Sequence, residues 1–189
     1  MHIADGFELP DESETDVRDI KDVKKKATFL SALVSLLIKI GVIVGVILVL
    51  AFFVFDLYTA SGDAMSPSVN AGDIVFSYRF DKDYSARDVI VLDIMGERQV
   101  RRVVATGGDT VDVTSEGLKV NGYFQQELYA NGETFCFDSD GEYPLTLSDN
   151  EVFVLGDNRE NSVDSRVYGP VRISDTVGSV ISLIRRRDF

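Results

Sequence analysis

The sequence predicts a mainly β domain joined to a single N-terminal transmembrane helix. The helix is indicated by an apolar run in the first third of the chain, in which residues 40–55 carry no charge. With Lys39 extending its amine toward the interface, this run reaches the roughly 20 residues that a bilayer requires. The β domain is indicated by short segments of alternating or β-branched residues in the rest of the chain.

The membrane anchor is predicted over residues 27–58, after an acidic tail of residues 1–26 that lacks hydrophobic periodicity. A cleaved signal peptide is the competing interpretation, but the apolar run is too long and starts too far from the N-terminus. Basic residues cluster on the N-terminal side of the span, at Lys21, Lys24, Lys25, Lys26 and Lys39. The positive-inside rule therefore predicts a single-pass cell-membrane protein with a cytoplasmic N-terminus and an extracellular C-terminal domain.

Residues 59–189 are predicted to form one compact β-rich domain. Strand-like segments occur at 73–79, 89–93, 100–106, 110–113, 151–155 and 177–184. In "LKVNGYF" at 118–124, Asn-Gly separates two such segments and predicts a tight hairpin. No helical period of useful length follows Tyr58, so little helix is expected in this domain.

Charge and rare residue types exclude several classes of function. A formal net charge of −12 argues against nucleic acid as a partner, because phosphates require a basic surface. The single cysteine, Cys136, has no partner for an internal disulfide and is expected to be a buried, unreactive thiol. The only histidine, His2, lies in the tail, which argues against a histidine base and against a histidine-rich metal site.

Two segments have the character of functional motifs. "SGDAMSPSVNAGD" at 61–73 has the shape of a serine-nucleophile loop, but the position expected to carry the hydroxyl is Ala64. "LGDNRENSVDSRVYGP" at 155–170 places many short polar and charged side chains directly after an apolar strand. Such side chains bond to nearby backbone and build a stiff loop, although a solvated surface loop has a similar composition.

Together with "VRRVVATGGDTVDV" at 100–113 and the N-terminal anchor, these segments resemble the type I signal peptidases of bacteria in content and order. The most specific match is in the last segment: Gly-Asp-Asn-Arg, then Asn-Ser, then Asp-Ser-Arg, then Gly-Pro. The resemblance implies a β-rich domain outside the membrane that removes signal peptides from exported proteins after small residues. It also implies a serine nucleophile and a lysine general base, with no cofactor and no metal.

In this resemblance the nucleophile position is Ala64 and the general-base position is Arg101. Gly62 matches the oxyanion position, and Ser162 matches the serine that orients the lysine. The resemblance implies substrate contacts at Met65 and Pro67. Structural support is implied for Arg102, Asp157, Asn158, Asp164 and Arg166.

Both reacting groups of the family are therefore replaced. Alanine has no nucleophilic atom, and an arginine with a pKa of roughly 12.5 or above does not act as a general base near neutral pH. Neighbouring serines at 61, 66 and 68 are the remaining candidate nucleophiles. The only lysines beyond the anchor, Lys82 and Lys119, are expected to be exposed at strand ends. Two lesser departures are Gly107, where the family usually has proline, and Arg87, where it usually has glycine.

These observations favour a non-catalytic protein that binds secreted polypeptides in a signal-peptidase cleft. In having one anchor and a degenerate dyad, the chain resembles the signal-peptidase-like proteins associated with pilus assembly in Gram-positive bacteria, which implies pilin partners. The alternative is a signal peptidase inactivated in this copy, naturally or by design, or one that uses a neighbouring serine. A membrane-tethered β domain with neither role is the third interpretation.

Overall fold

A computed structural model describes residues 12–94, 96–135 and 143–186. The predicted roles of His2 and Cys136, and the first part of the acidic tail, lie outside these residues. By its contacts the chain divides into an N-terminal unit, residues 1–50, and a second unit, residues 51–189.

The N-terminal helix, α1, spans Glu12–Val54. Its part from Lys24 to Val54 is long and apolar enough to cross a membrane, with a mean hydropathy of 3.0 over its most apolar window. The helix differs from the predicted anchor at both ends. It includes residues 12–26, which were expected to be an irregular tail, and it ends four residues before Tyr58.

Residues 55–58 form a β-strand instead of the last turn of the anchor. Phe55 stacks on Phe76 with ring centroids 5.0 Å apart. The buried Asp56 carboxylate accepts hydrogen bonds from Arg79 (2.5 Å) and from Arg98 (2.9 and 3.1 Å). A carboxylate between two guanidinium groups holds this segment in the sheet, because burial without those partners would be costly.

Eleven strands build two antiparallel sheets in the described part of the chain. The strands are β1 Phe55–Thr59, β2 Ile74–Tyr78, β3 Val89–Ile94, β4 Glu97–Thr106, β5 Thr110–Thr114, β6 Gly117–Val120, β7 Tyr123–Phe124, β8 Leu145–Thr146, β9 Glu151–Leu155, β10 Val171–Arg172 and β11 Thr176–Ile184. The larger sheet has the order β1-β2-β11-β3-β4-β9-β10, and the smaller has the order β7-β6-β5-β8. Helix is confined there to a short α2, Ser165–Tyr168, and the 3₁₀ turns Arg159–Asn161 and Ile173–Asp175.

The mainly β fold class is confirmed, and each predicted strand segment overlaps a strand of the structure. The Asn-Gly hairpin is also present between β6 and β7, which pair antiparallel. Asn121 has φ 53° and Gly122 has φ 81°. Two consecutive residues with positive φ are what the type I′ hairpin turn requires.

The buried side chains of β4 fix the position of Arg101 and Arg102 on the same strand. Val100, Val103, Val104 and Ala105 are buried and contribute to all three hydrophobic clusters of the β domain. β4 pairs with β3 from Glu97 to Arg102 and with β9 from Arg102 to Thr106. Position 101 is therefore the residue of β4 directly before its pairing with β9 begins. The buried residues next to it fix its backbone.

Candidate functional site

The loop that carries position 64 connects β1 to β2. Its base is closed by backbone hydrogen bonds from Ala60 N to Asp73 O and from Gly72 N to Ala60 O, both 2.8 Å long. Met65 is 3% exposed and packs in a core cluster with Val69 and Val100. Because an apolar side chain holds the loop in the core, the residue before it has a defined position in space.

The segment after β9 contacts this loop directly. The Asn158 backbone N–H donates to Ala64 O at 2.9 Å, and Asn158 Nδ2 donates to Asp63 O at 3.1 Å. A Cβ atom on Gly156 would lie 2.1 Å from Ser162 Oγ and 2.5 Å from Ala64 O. Only glycine permits this approach, so the Gly-Asp-Asn sequence is required to bring positions 64 and 162 close together.

Arg101, at the position where the resemblance implies a general base, is a buried cation that is 7% exposed. Its Nε and Nη2 donate to Val163 O at 3.2 and 2.8 Å, and its Nη1 donates to Val100 O at 2.6 Å. Burial lowers the pKa of this guanidinium, while Tyr168 and Asp164 act to raise it. A guanidinium starts from so high a pKa that it remains protonated here.

Ala64 and Arg101 line the same small cavity, whose volume is about 10 Å³. The lining residues are Tyr58, Ala60, Ser61, Gly62, Ala64, Met65, Val69, Val100 and Arg101. The volume is about enough for one water molecule. The positions expected for the nucleophile, the base, the oxyanion contact and one substrate contact, Met65, are thus together. Pro67 is exposed and does not line the cavity.

Ser162 lies behind this cavity with an unused hydroxyl. It is 5% exposed, and its Oγ makes no hydrogen bond to any described residue. The Tyr168 hydroxyl lies beside the Arg101 guanidinium; burial raises its pKa above the usual value, while the neighbouring positive charge acts to lower it. A buried hydroxyl such as that of Ser162, without a partner among the described residues, is unusual, because such groups normally find one.

The supporting ion pairs are divided between different partners. Arg102 forms a bidentate pair with the fully buried Asp157, from Nε to Oδ1 at 2.7 Å and from Nη2 to Oδ2 at 2.6 Å. It also lies over the ring of Tyr129, 4.3 Å from the centroid. Burial beside Glu127 raises the pKa of Tyr129 to about 12, so this ring stays neutral.

Asp164 pairs with Arg166 and not with Arg102. Arg166 Nε donates to Oδ1 at 2.9 Å and Nη2 donates to Oδ2 at 2.8 Å, with both side chains almost fully buried. Asp164 also accepts from the N–H of Gly156 at 3.0 Å and from the N–H of Arg166 at the start of α2. One carboxylate thereby fixes both ends of the segment that carries Ser162.

Sequence reasoning missed a third pair. Arg159, which is 1% exposed, binds Glu127 through Nη1 to Oε2 at 2.5 Å and Nη2 to Oε1 at 2.7 Å. It also donates to Thr134 Oγ1 and to Gly156 O. Arg159 belongs to the Gly-Asp-Asn-Arg match and was available as a candidate. Glu127 stands in no motif, and only the folded structure brings it to this place.

The other candidate reacting groups lie in different surroundings. Ser61 lines the cavity and has its Oγ 3.1 Å from Tyr58 Oη, whereas the Ser68 hydroxyl accepts from Arg102 Nη2 at 3.4 Å. The prediction that both outer lysines are exposed was wrong. Lys82 is half-buried and donates to Thr176 O at 2.8 Å, and Lys119 is half-buried with its Nζ 4.4 Å from the centroid of Phe124.

The two lesser departures from the family pattern have structural correlates. Arg87 has φ 84°, a left-handed conformation that glycine adopts without strain, and its carbonyl accepts from Arg102 Nη1 at 2.9 Å. A Cβ on Gly107 would lie 2.6 Å from the carbonyl oxygen of Asp149. Position 107 therefore requires glycine in this chain, because a proline ring would collide with the backbone opposite.

Among the residues that the structure describes, no group of three or more His, Cys, Asp or Glu side chains is arranged to hold a metal ion. The site instead combines one buried cation, backbone amides and hydroxyls around a small cavity. Its layout is a small cavity beside a fixed loop at position 64. What it lacks is a nucleophilic atom at that position and an acceptor for its proton.

Comparison with known proteins finds one family that matches most of the chain. The family model described as "Signal peptidase, peptidase S26" matches residues 33–184. Signal peptidase I S of Bacillus subtilis is 31% identical over 138 residues, which cover 67% of this chain and 75% of that protein. Signal peptidase I P of Bacillus subtilis subsp. natto is 31% identical over 159 residues, which cover 77% and 83%.

A crystal structure of a signal peptidase I from Enterococcus faecalis aligns with 53% of this chain and 99% of its own, at 26% identity and a TM-score of 0.46. The family model alone covers more than half of the sequence and includes all three motif segments. The chain therefore belongs to the signal peptidase I family.

Proposed function

We propose that this protein binds signal peptides or other secreted polypeptides, pilins among them, without cutting them. The observation that carries the proposal is that Ala64 and Arg101 line one cavity. The sequence resemblance assigns these two positions to the family's nucleophile and its base. The family itself implies signal-peptide substrates and membrane association.

Without a nucleophile at position 64 and a base at position 101, the chain cannot cleave a peptide, but the surface that binds the peptide remains. Acyl transfer requires an attacking oxygen and a base that is unprotonated near the working pH. The Arg101 side chain has no oxygen, and its guanidinium stays protonated, with Nε, Nη1 and Nη2 all donating to the carbonyls of Val100 and Val163. Its side chain acts as a fixed part of the cleft wall.

An unpaired stretch of β4 supports peptide binding. In the described chain β9 pairs with β4 only from Arg102 onward, so residues 97–101 lack a strand partner on that side. An extended peptide can add to such an edge through main-chain hydrogen bonds, with alternate side chains entering pockets. The cavity lined by Val100 and Arg101 lies at the end of this unpaired stretch. Its volume of about 10 Å³ suits a small side chain.

The test uses the full chain in an uncharged detergent and a synthetic signal peptide with an Ala-x-Ala end followed by several mature residues. We expect saturable binding by titration calorimetry and an intact peptide by mass spectrometry after long incubation. A peptide with both alanines changed to phenylalanine is the control and is expected to bind at least about tenfold more weakly, since a bulky side chain cannot enter the cavity. Cleavage of the first peptide, or absence of binding, would contradict the proposal.

If cleavage does occur, Ser61 is the first residue to examine, because its hydroxyl is at the cavity. Loss of cleavage in Ser61→Ala but not in Ser66→Ala would identify a relocated nucleophile. The protein would then be an active signal peptidase of unusual chemistry.

We also propose that the β domain lies outside the cell and the N-terminus in the cytoplasm. The basis is the group of lysines on the N-terminal side of the apolar helix. A protease added to intact cells is expected to degrade the β domain and to leave an N-terminal epitope tag protected. Protection of the β domain in intact cells, with degradation only after lysis, would reverse the orientation.

A further inference from the structure

Arg101 differs from the other buried arginines of the β domain in having no carboxylate partner in the part of the chain that the structure describes. Arg102, Arg159 and Arg166 each form an ion pair with Asp157, Glu127 and Asp164 respectively. Among the described residues, no carboxylate oxygen lies within 4.0 Å of Arg101, although its side chain is 7% exposed. Its hydrogen-bond partners are neutral main-chain carbonyls, and Asp164 acts on its charge only from beyond ion-pair distance.

Unused hydrogen-bond donors accompany this charge. A guanidinium has five N–H groups, and three of those of Arg101 are used by Val163 O and Val100 O. The backbone N–H groups of Gly62 and Ala64 also donate to no acceptor among the described residues. All three residues line the same cavity. The cavity thus combines a positive charge with free N–H donors and contains no acidic side chain in its lining.

We propose that this cavity binds the C-terminal carboxylate of a peptide whose last side chain is small. This rests on the proposed peptide-binding function and names the kind of peptide. A carboxylate supplies the missing negative charge, whereas the internal carbonyl of an uncut peptide is neutral. Charge-assisted hydrogen bonds are roughly twice as strong as neutral ones, and a buried charge that gains a partner no longer carries an uncompensated cost.

The size of the cavity limits the ligand. At about 10 Å³ it holds one oxygen of the carboxylate and leaves no room beside it for a bulky terminal side chain, so a side chain no larger than methyl is expected. Cleavage of an exported protein after a small residue produces a peptide with this kind of end. The ligand class is therefore the released signal peptide and not the intact preprotein.

The experiment compares peptides that differ only at the C-terminus, using the full chain in an uncharged detergent. Each has an acetylated N-terminus and ends in Ala-x-Ala, one as the free acid and one as the carboxamide. A third ends in a free-acid leucine. We expect the first to bind at least about tenfold more tightly than either of the others, from the strength of a hydrogen-bonded charge pair and from exclusion of a bulky side chain.

Variants assign the preference to Arg101. Arg101→Met is expected to bind acid and amide equally, and Arg101→Lys to keep a preference for the acid. Arg172→Met, which removes one exposed positive charge on β10, is the matched control and is expected to keep the full preference. If Arg101→Met does not fold, the peptide comparison on the unaltered protein still decides the question.

The two proposals fail in different ways. Equal binding of acid and amide to the unaltered protein would overturn the carboxylate proposal while leaving peptide binding intact. No binding of any of the three peptides would overturn both. A preference for the acid that survives in Arg101→Met but is lost in Arg172→Met would place the anion elsewhere and also overturn the assignment.

Discussion

A double variant with Ala64→Ser and Arg101→Lys is expected to cleave a preprotein with an Ala-x-Ala site, whereas the unaltered chain and either single variant leave it intact. The serine supplies the attacking oxygen, and the lysine supplies a base that burial can deprotonate. Residues that act as a unit gain or lose activity together, so the effect should be strongly non-additive. The expected rate is at least about a hundredfold above that of each single variant.

A lysine at position 101 can act as a base because the surroundings of that position are buried. Burial lowers the pKa of the Arg101 guanidinium. The same burial would lower the pKa of a lysine at this position from its reference value of about 10.4. The active form is the neutral amine. Activity of the double variant should therefore rise with pH as the lysine loses its proton, and should be lost as pH falls below its lowered pKa.

Ser162 provides the matched control. Its hydroxyl is buried behind the cavity and has no hydrogen-bond partner among the described residues, so it is free to accept from a lysine at 101. Adding Ser162→Ala to the double variant should lower the cleavage rate by up to about a hundredfold, since a misplaced base is a poor one. Cleavage at equal rates with and without the Ser162 hydroxyl, or in Arg101→Lys alone, would contradict this assignment of roles.

The largest effect on stability is expected for Asp164→Ala. The side chains of Asp164 and Arg166 are almost fully buried and joined by two hydrogen bonds. Removing the carboxylate takes away two hydrogen bonds and one ion pair from a buried guanidinium, together with the cap of α2. The free energy of unfolding should fall by about 3–5 kcal/mol.

The measurement is a urea titration of the full chain in detergent. The chain has seven tyrosines and no tryptophan, so tyrosine fluorescence reports on the β domain. Asp93→Ala removes an exposed carboxylate on β3 and serves as the control, with an expected change within about 0.5 kcal/mol. An unchanged midpoint for Asp164→Ala would mean that this pair contributes nothing to the fold.

Local patterns in the sequence determined the secondary structure of most of the molecule. The apolar run predicts α1 because length and composition alone decide whether a helix suits a membrane. The strands follow from β-branched and alternating residues, and the turn between β6 and β7 follows from Asn121 and Gly122, whose positive φ values match the turn type. The motif residues also identified the signal peptidase family, which the family model confirms, and they are the basis for predicting that both reacting groups are replaced.

The end of α1 was decided by tertiary structure. Residues 55–58 are as apolar as the helix before them, apart from Asp56, so their composition suits either a helix or a strand. Pairing of β1 with β2 and burial of Asp56 between Arg79 and Arg98 select the strand. Those arginines lie 23 and 42 residues further along the chain, beyond the reach of any local pattern.

The partners of the buried charges were likewise decided only by the fold. The sequence left Asp164 with two candidate arginines, and the structure pairs it with Arg166 and gives Arg102 to Asp157. It brings Glu127 to Arg159 from outside every motif, and it leaves Arg101 without a carboxylate among the described residues. The energy of an ion pair depends on a separation of a few ångströms and on burial, and both quantities arise only when distant segments pack together.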